Sequence, residues 1–202
     1  MTRLLTICGS LQQVSMNRAA LDVVHAFAAT IEGVSVDQYA DLGQLPALNP
    51  DLVSDPGPEV SAWRRRVGRA DVVLIASPEY AGSLAGSVKN ALDWIVGSGE
   101  LYTKPVAVLS AGTTGGWYAR QALVQTLTWQ GAHVVAELGI AAPRTKSDRD
   151  GRLTDETTID AIHQVAAVLL DAPHLAPDAR LALVRAIVDI AGVDAHHIAP
   201  IT

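Results

Sequence analysis

Cysteine occurs once in 202 residues, as Cys8, so no internal disulfide can form and a stapled, secreted fold is excluded. Cys8 closes an apolar run, where a free cysteine is a small buried hydrophobe. Charged residues make up only 18% of the chain against 49% hydrophobic, which excludes disorder. Basic residues are outnumbered 15 to 21, and a net charge of −6 argues against a nucleic-acid surface. No apolar stretch reaches the roughly 20 residues of a membrane span. Met1–Cys8 is too short for a signal peptide and runs straight into Gly9, so the expectation is a cytoplasmic protein. There is no internal repeat, low-complexity segment, paired-carboxylate pattern, nucleophile elbow or metal-ligand spacing. His25 and His163 lie in helical segments, His133 opens a strand, and His174, His196 and His197 sit in the tail, all as structural or surface residues.

What the chain does have is alternation. Apolar runs at Arg3–Cys8, Ala70–Ala76, Pro105–Ser110 and Ala132–Leu138 read as strands, the second and third continuous enough to be buried on both faces. Val34–Tyr39 alternates and suits an edge. Between them lie helical stripes: Leu21, Val24, Ala28 and Ile31 behind Ser15 as N-cap; Val60, Trp63, Val67 and Ala70; Val88, Ala91, Leu92 and Ile95; Ala119, Leu123, Thr126 and Leu127. A fifth helix starts at Thr154, with Asp155 and Glu156 in its first turn, and buries Ile159, Ile162, Ala166 and Leu169. Arg64, Arg65 and Arg66 read as a solvated outer face. The proline-rich stretch Leu42–Pro58 is a long loop over the sheet.

This order predicts a doubly wound α/β domain with a five-stranded parallel sheet, order 2-1-3-4-5, and helices on both faces. We expect that domain over residues 1–172, followed by a C-terminal helical extension over 173–202. The extension's stripe, Leu181, Val184, Ile187, Val188 and Ala191, needs an apolar partner: the domain itself, a dimer edge or the mouth of a pocket.

Parallel sheets bind ligands outside the carboxyl ends of their strands, so the loops after the first, third and fourth runs carry the chemistry. The first, Gly9-Ser10-Leu11-Gln12-Gln13-Val14-Ser15-Met16-Asn17, opens a helix, offers Ser10, Ser15 and Asn17 as donors and has no carboxylate before Asp22. A phosphate monoester suits it, and it is neither the dinucleotide fingerprint nor a P-loop. The second loop reads Pro78-Glu79-Tyr80-Ala81-Gly82-Ser83, then Gly86, Lys89-Asn90-Ala91 and Asp93-Trp94. The third reads Ser110-Ala111-Gly112-Thr113-Thr114-Gly115-Gly116.

Over residues 3 to 170 these loops resemble the NADPH-dependent FMN reductase family, flavodoxin-like quinone, flavin, chromate and azo reductases whose signature runs P-E-Y-N-G-S-x-P-G-x-L-K-N-A-x-D-W. The resemblance implies FMN and NAD(P)H as cofactors and hydride transfer through the flavin to a small acceptor, with ping-pong kinetics and no protein acid, base or nucleophile. It implies a homodimer or homotetramer, with Lys89 and Asp93 in a helix at the interface. Gly9, Ser10, Gln12, Ser15, Met16 and Asn17 would hold the FMN phosphate. Pro78, Glu79, Tyr80, Ala81 and Gly82 would meet the ring edge, Gly82 by lacking a Cβ. Ser110, Gly112, Thr113 and Gly115 would face the pyrimidine end.

Three positions depart from the family. Gln12 stands for an arginine, a loss that alone weakens FMN binding roughly ten- to hundred-fold, with Arg18 near enough in sequence to compensate. Ala81 stands for asparagine and Ala85 for proline. Arg120 and Arg144 are candidates for a 2′-phosphate, which leaves NADPH and NADH both open. Two other functions stay open as well: a flavin electron carrier, and a protein that kept the fold but acts in interaction or regulation.

Overall fold

The computed structural model describes residues 1–201. Five parallel strands form the main sheet: β1 (Thr2–Cys8), β2 (Val34–Tyr39), β3 (Val72–Ala76), β6 (Pro105–Gly112) and β7 (His133–Ala141). Their order is β2-β1-β3-β6-β7, which is 2-1-3-4-5 when these five are counted alone. β3 is buried at every residue, as its unbroken Val-Val-Leu-Ile-Ala run requires, whereas β2 at the edge is half exposed. A short antiparallel hairpin, β4 (Glu79–Tyr80) and β5 (Ser83–Leu84), follows β3.

Six helices cover the sheet: α1 (Met16–Ala28), α2 (Gly57–Arg69), α3 (Gly86–Asp93), α4 (Trp117–Trp129), α5 (Glu156–Asp171) and α6 (Pro177–Ile190). Strand alternation sorts them into two cores. Leu5 and Ile7 of β1 face the core that holds Trp63 of α2, Leu92 of α3 and Leu123 of α4. Leu4 and Cys8 face the other, with Leu21 and Val24 of α1 and Ile162 and Leu169 of α5.

Ser15 holds the N-cap position of α1, but its hydroxyl makes no cap bond. α5 begins one residue beyond an Asp155 cap, later than the expected Thr154, because the Asp155 carboxylate takes the Thr158 amide at 2.9 Å and its hydroxyl at 2.6 Å. The Leu42–Pro58 loop is fastened to α3. Asn90 accepts from the Leu48 amide at 2.8 Å, and the Trp94 indole donates to the Pro46 carbonyl at 2.7 Å. Arg64 is not merely solvated, since it donates to the Trp94 carbonyl at 3.0 Å, and Arg66 pairs with Asp37 at 3.2 Å.

α6 finds its partner within the domain. Val184 and Val188 join the α1/α5 core, Ile187 and Ala191 pack on the other, and the helix lies against β7. It lines no part of the cavity described below, so the pocket mouth is not its place. No helix of the described residues is long and apolar enough to cross a membrane.

Candidate active site at the carboxyl ends of the strands

A cavity of about 600 Å³ opens at the carboxyl ends of β1, β3, β6 and β7. The β1–α1 loop contributes Ser10, Gln12, Val14, Ser15, Met16 and Asn17. Pro78, Glu79 and Tyr80 come from the hairpin, and Ala111, Gly112 and Thr113 from the end of β6. The fourth wall, Ala142, Pro143, Arg144 and Thr145, is the loop after β7, which sequence reasoning did not consider as a wall. The rule that located the other loops applies equally to the carboxyl end of the fifth strand.

The first turn of α1 points its N–H groups at this space without a side-chain cap, leaving the orphan donors and positive dipole end that receive an anion. Ser15 is half-buried with its hydroxyl not used as a cap, and the Ser10 hydroxyl accepts from the Gln12 amide at 3.4 Å. The Asn17 side chain is engaged elsewhere. It is 3% exposed, and its amide group donates to the Ala111 carbonyl at 3.1 Å and accepts from the Ala111 N–H at 2.9 Å. β3 stops at Ala76, opposite Leu109, so Asn17 supplies the backbone-like partner that β6 would otherwise lack two residues further on. Arg18 lines, with Asp22 and Arg152, an adjoining groove that shares Val14 and Ser15 with this cavity, and is not itself on the cavity's wall.

Glu79 explains the acidic position of the hairpin. One carboxylate oxygen accepts from the amides of Tyr118 at 2.8 Å and Ala119 at 3.2 Å, so it caps α4, whose own N-cap is Gly116 and offers no side chain. Tyr80 ↔ Ser83 pairing leaves Ala81 and Gly82 as a two-residue loop with φ of 51° and 70°. Positive φ at both positions is the type I′ arrangement, for which Asn-Gly is the favoured pair. Ala81 and Gly82 are exposed at the turn and line no cavity wall. A Cβ on Gly82 would meet nothing within 4 Å, so the glycine serves the turn's backbone and not a close approach within the protein. Ala85, at φ −61°, has a proline-compatible backbone, and its N–H donates to the buried Ser77 hydroxyl at 3.1 Å.

The glycine-rich turn after β6 is held from behind. The Gly115 N–H donates to the Gly112 carbonyl at 3.1 Å, and Gly115 is buried behind the wall. Ser110 is fully buried beneath Gly116, where an added Cβ would stand 1.9 Å from the serine hydroxyl, so neither Ser110 nor Gly115 faces the cavity. Gly9 lines an adjoining hollow with Leu11 and Tyr80. Arg120 donates to the Gly115 carbonyl at 3.2 Å and pairs with Glu137 at 2.8 Å, the two side chains being only 12% and 9% exposed. That engagement removes Arg120 as a candidate for a 2′-phosphate and leaves Arg144. Burial raises the Cys8 thiol above its ordinary value, so it is an un-ionised packing group at the end of β1. The described residues hold no cluster of three metal-ligating side chains.

Residues 2–146 match the family model described as NADPH-dependent FMN reductase. A probable NADPH:quinone oxidoreductase of Oryza sativa subsp. japonica is 38% identical, over 81% of this chain and 87% of its own. An NAD(P)H-dependent FMN reductase of Pseudomonas aeruginosa is 36% identical, over 80% of this chain and 90% of its own. Among solved structures, the flavoenzyme NAD(P)H:(acceptor) oxidoreductase FerB of Paracoccus denitrificans superposes with a TM-score of 0.73 at 29% identity, covering 85% of this chain and 96% of that one. With the sheet order, the open α1 terminus and the capped hairpin all in place at one cavity, the chain belongs to the NADPH-dependent FMN reductase family.

Proposed function

We propose that the chain is an NAD(P)H-dependent oxidoreductase that holds FMN in the 600 Å³ cavity and reduces a quinone, a flavin or a similar small acceptor. The observation that carries this reading is the uncapped first turn of α1, opening into a cavity large enough for a tricyclic ring. The Met16–Asn17 amides and the Ser10 and Ser15 hydroxyls would hold the FMN phosphate. Bound there, FMN would supply two-electron chemistry between a nicotinamide and a small acceptor.

The chain's own residues bind, orient and exclude water. Tyr80, 51% exposed at the tip of the cavity wall, offers one face of a phenol ring to whichever flat molecule enters. Gly112 and Thr113 present backbone at the opposite wall. The only carboxylate on the wall, Glu79, is engaged with α4 and holds the hairpin rather than facing an acceptor as a free acid.

The protein acts in the cytoplasm as a homodimer or homotetramer. Exposed aromatics on α4, Trp117, Tyr118 and Trp129, support an interface on that side. The test is an FMN titration of purified protein, read by flavin absorbance and by loss of flavin fluorescence, followed by NAD(P)H without oxygen. One FMN per chain with bleaching is the expected result, and no binding at near-millimolar FMN rejects the reading.

A further inference from the structure

A phosphate monoester carries between one and a half and two negative charges at neutral pH, and a helix N-terminus answers only about half a charge. The side chains that the β1–α1 loop places on the cavity, Ser10, Gln12 and Ser15 among them, are all neutral. The nearest cation in sequence, Arg18, is not on the cavity wall and lines the neighbouring groove, which shares Val14 and Ser15 with the cavity. The charged residues on the cavity wall are two. Glu79 is committed to the amides of α4, and Arg144 is exposed, its guanidinium without a hydrogen-bond or ion-pair partner among the described residues.

The loop that carries Arg144 is fixed in place. Ala142 adopts φ 46°, and its N–H donates to the carbonyls of Gly112 at 3.1 Å and Thr113 at 3.3 Å. The Thr145 amide and hydroxyl both return to the Ala142 carbonyl, at 3.0 and 2.9 Å, and the Ser147 hydroxyl donates to the carbonyl of Arg144 itself at 3.2 Å. From there the chain runs back to the phosphate loop, where a Cβ on Gly151 would stand 3.9 Å from a Val14 methyl. A fixed backbone with a long, unpaired guanidinium is the arrangement of an anion-receiving arm.

We propose that Arg144, reaching in from the loop after β7, supplies the counter-charge for the flavin phosphate and thereby makes the site select FMN over riboflavin. This rests on the flavin reading above. The test measures dissociation constants for FMN and riboflavin by fluorescence quenching in the wild type, Arg144→Gln and Arg144→Lys, with melting curves to establish folding. In Arg144→Gln the FMN constant rises about ten- to hundred-fold while the riboflavin constant holds, and Arg144→Lys keeps most of the preference. The salt dependence of FMN binding weakens in Arg144→Gln for the same reason. An unchanged FMN-to-riboflavin ratio, or an equal loss for both ligands, overturns the proposal. So does a selective rise in KM for NADPH over NADH with the ratio intact, which would assign Arg144 to the nicotinamide dinucleotide. If the wild type binds no FMN, the flavin reading itself fails; if it saturates and the ratio is unmoved, only the role of Arg144 fails.

Discussion

Replacing Ala81 with asparagine should make the protein more stable, and the size of the effect follows from one turn. Ala81 and Gly82 close the β4–β5 hairpin with φ of 51° and 70°. A left-handed residue with a Cβ costs about 1–2 kcal/mol, and asparagine recovers part of that through local hydrogen bonding by its short side chain. The hairpin cannot relax cheaply, because Glu79 is bonded to the α4 amides on one side and Ala85 to Ser77 on the other. The strain is therefore carried by the native state, and Ala81→Asn should recover about 0.5–1 kcal/mol, or roughly 1–4 °C in Tm for a chain of this size. Ala81→Val, which adds a β-branch to a left-handed position, should lose at least about 1 kcal/mol more. Ala81→Gly should lie near the wild type, since relief in the turn is offset by a freer unfolded chain. Thermal and urea melts of the FMN-free protein measure the series without a contribution from ligand binding. Equal melting of the asparagine, alanine and valine proteins would show that the turn does not carry the strain.

Three other outcomes are expected. Asn17→Leu removes both bonds to Ala111 and strands a buried N–H and carbonyl, so the urea midpoint should fall by the equivalent of about 2–4 kcal/mol. Arg120→Met leaves Glu137 charged and nearly buried and should cost about 3–5 kcal/mol, whereas Arg120→Met with Glu137→Leu should recover most of it; equal losses in the single and double variants would argue against a buried pair. Burial lowers His25 and His133 below the ordinary histidine value, so the unfolded chain binds more protons than the native one. Their contribution to stability is whole above about pH 6.5 and declines as pH falls through 6.5 toward the lowered values. Stability should therefore drop between pH 7 and 5, and His133→Gln, which can still donate to the Ala199 carbonyl, should flatten that slope.

Four of the five sheet strands could be read from the sequence because each is a largely buried run of apolar residues, and the fifth, Val34–Tyr39, because its alternation suits an edge. The β4–β5 hairpin could not, since strands of two residues have no period to detect. The site was harder to read than the fold, for a specific reason: one residue type serves two tasks. Asn17 looks like a phosphate donor in a polar loop, and only its burial against Ala111 reveals a backbone partner. Glu79, Asn90 and Trp94 are signature positions whose side chains hold α4 and the Leu42–Pro58 loop, contacts separated by about forty residues and invisible to local patterns. Arg120 and Arg144 are equivalent as letters, and burial beside Glu137 separates them. The placement of α6 was likewise open, because an apolar stripe states that a partner exists without naming it.

The same contacts decide what binding must cost. Each cavity wall is tied to another by a bond between distant segments: the β1–α1 loop to β6 through Asn17, the hairpin to α4 through Glu79, the β7 loop to Gly112 and Thr113 through Ala142, and α3 to the phosphate loop through the Ser87 hydroxyl on the Gly9 carbonyl at 2.8 Å. None of these bonds needs a ligand, so the walls are ordered before a flavin arrives and little loop entropy is lost on binding. A neutral Gln12 would then weaken a phosphate contact without adding an ordering cost to it. On the proposal made for Arg144, the difference between FMN and riboflavin would then rest on the electrostatics at one end of the cavity, where α1 would supply a partial charge and Arg144 a whole one.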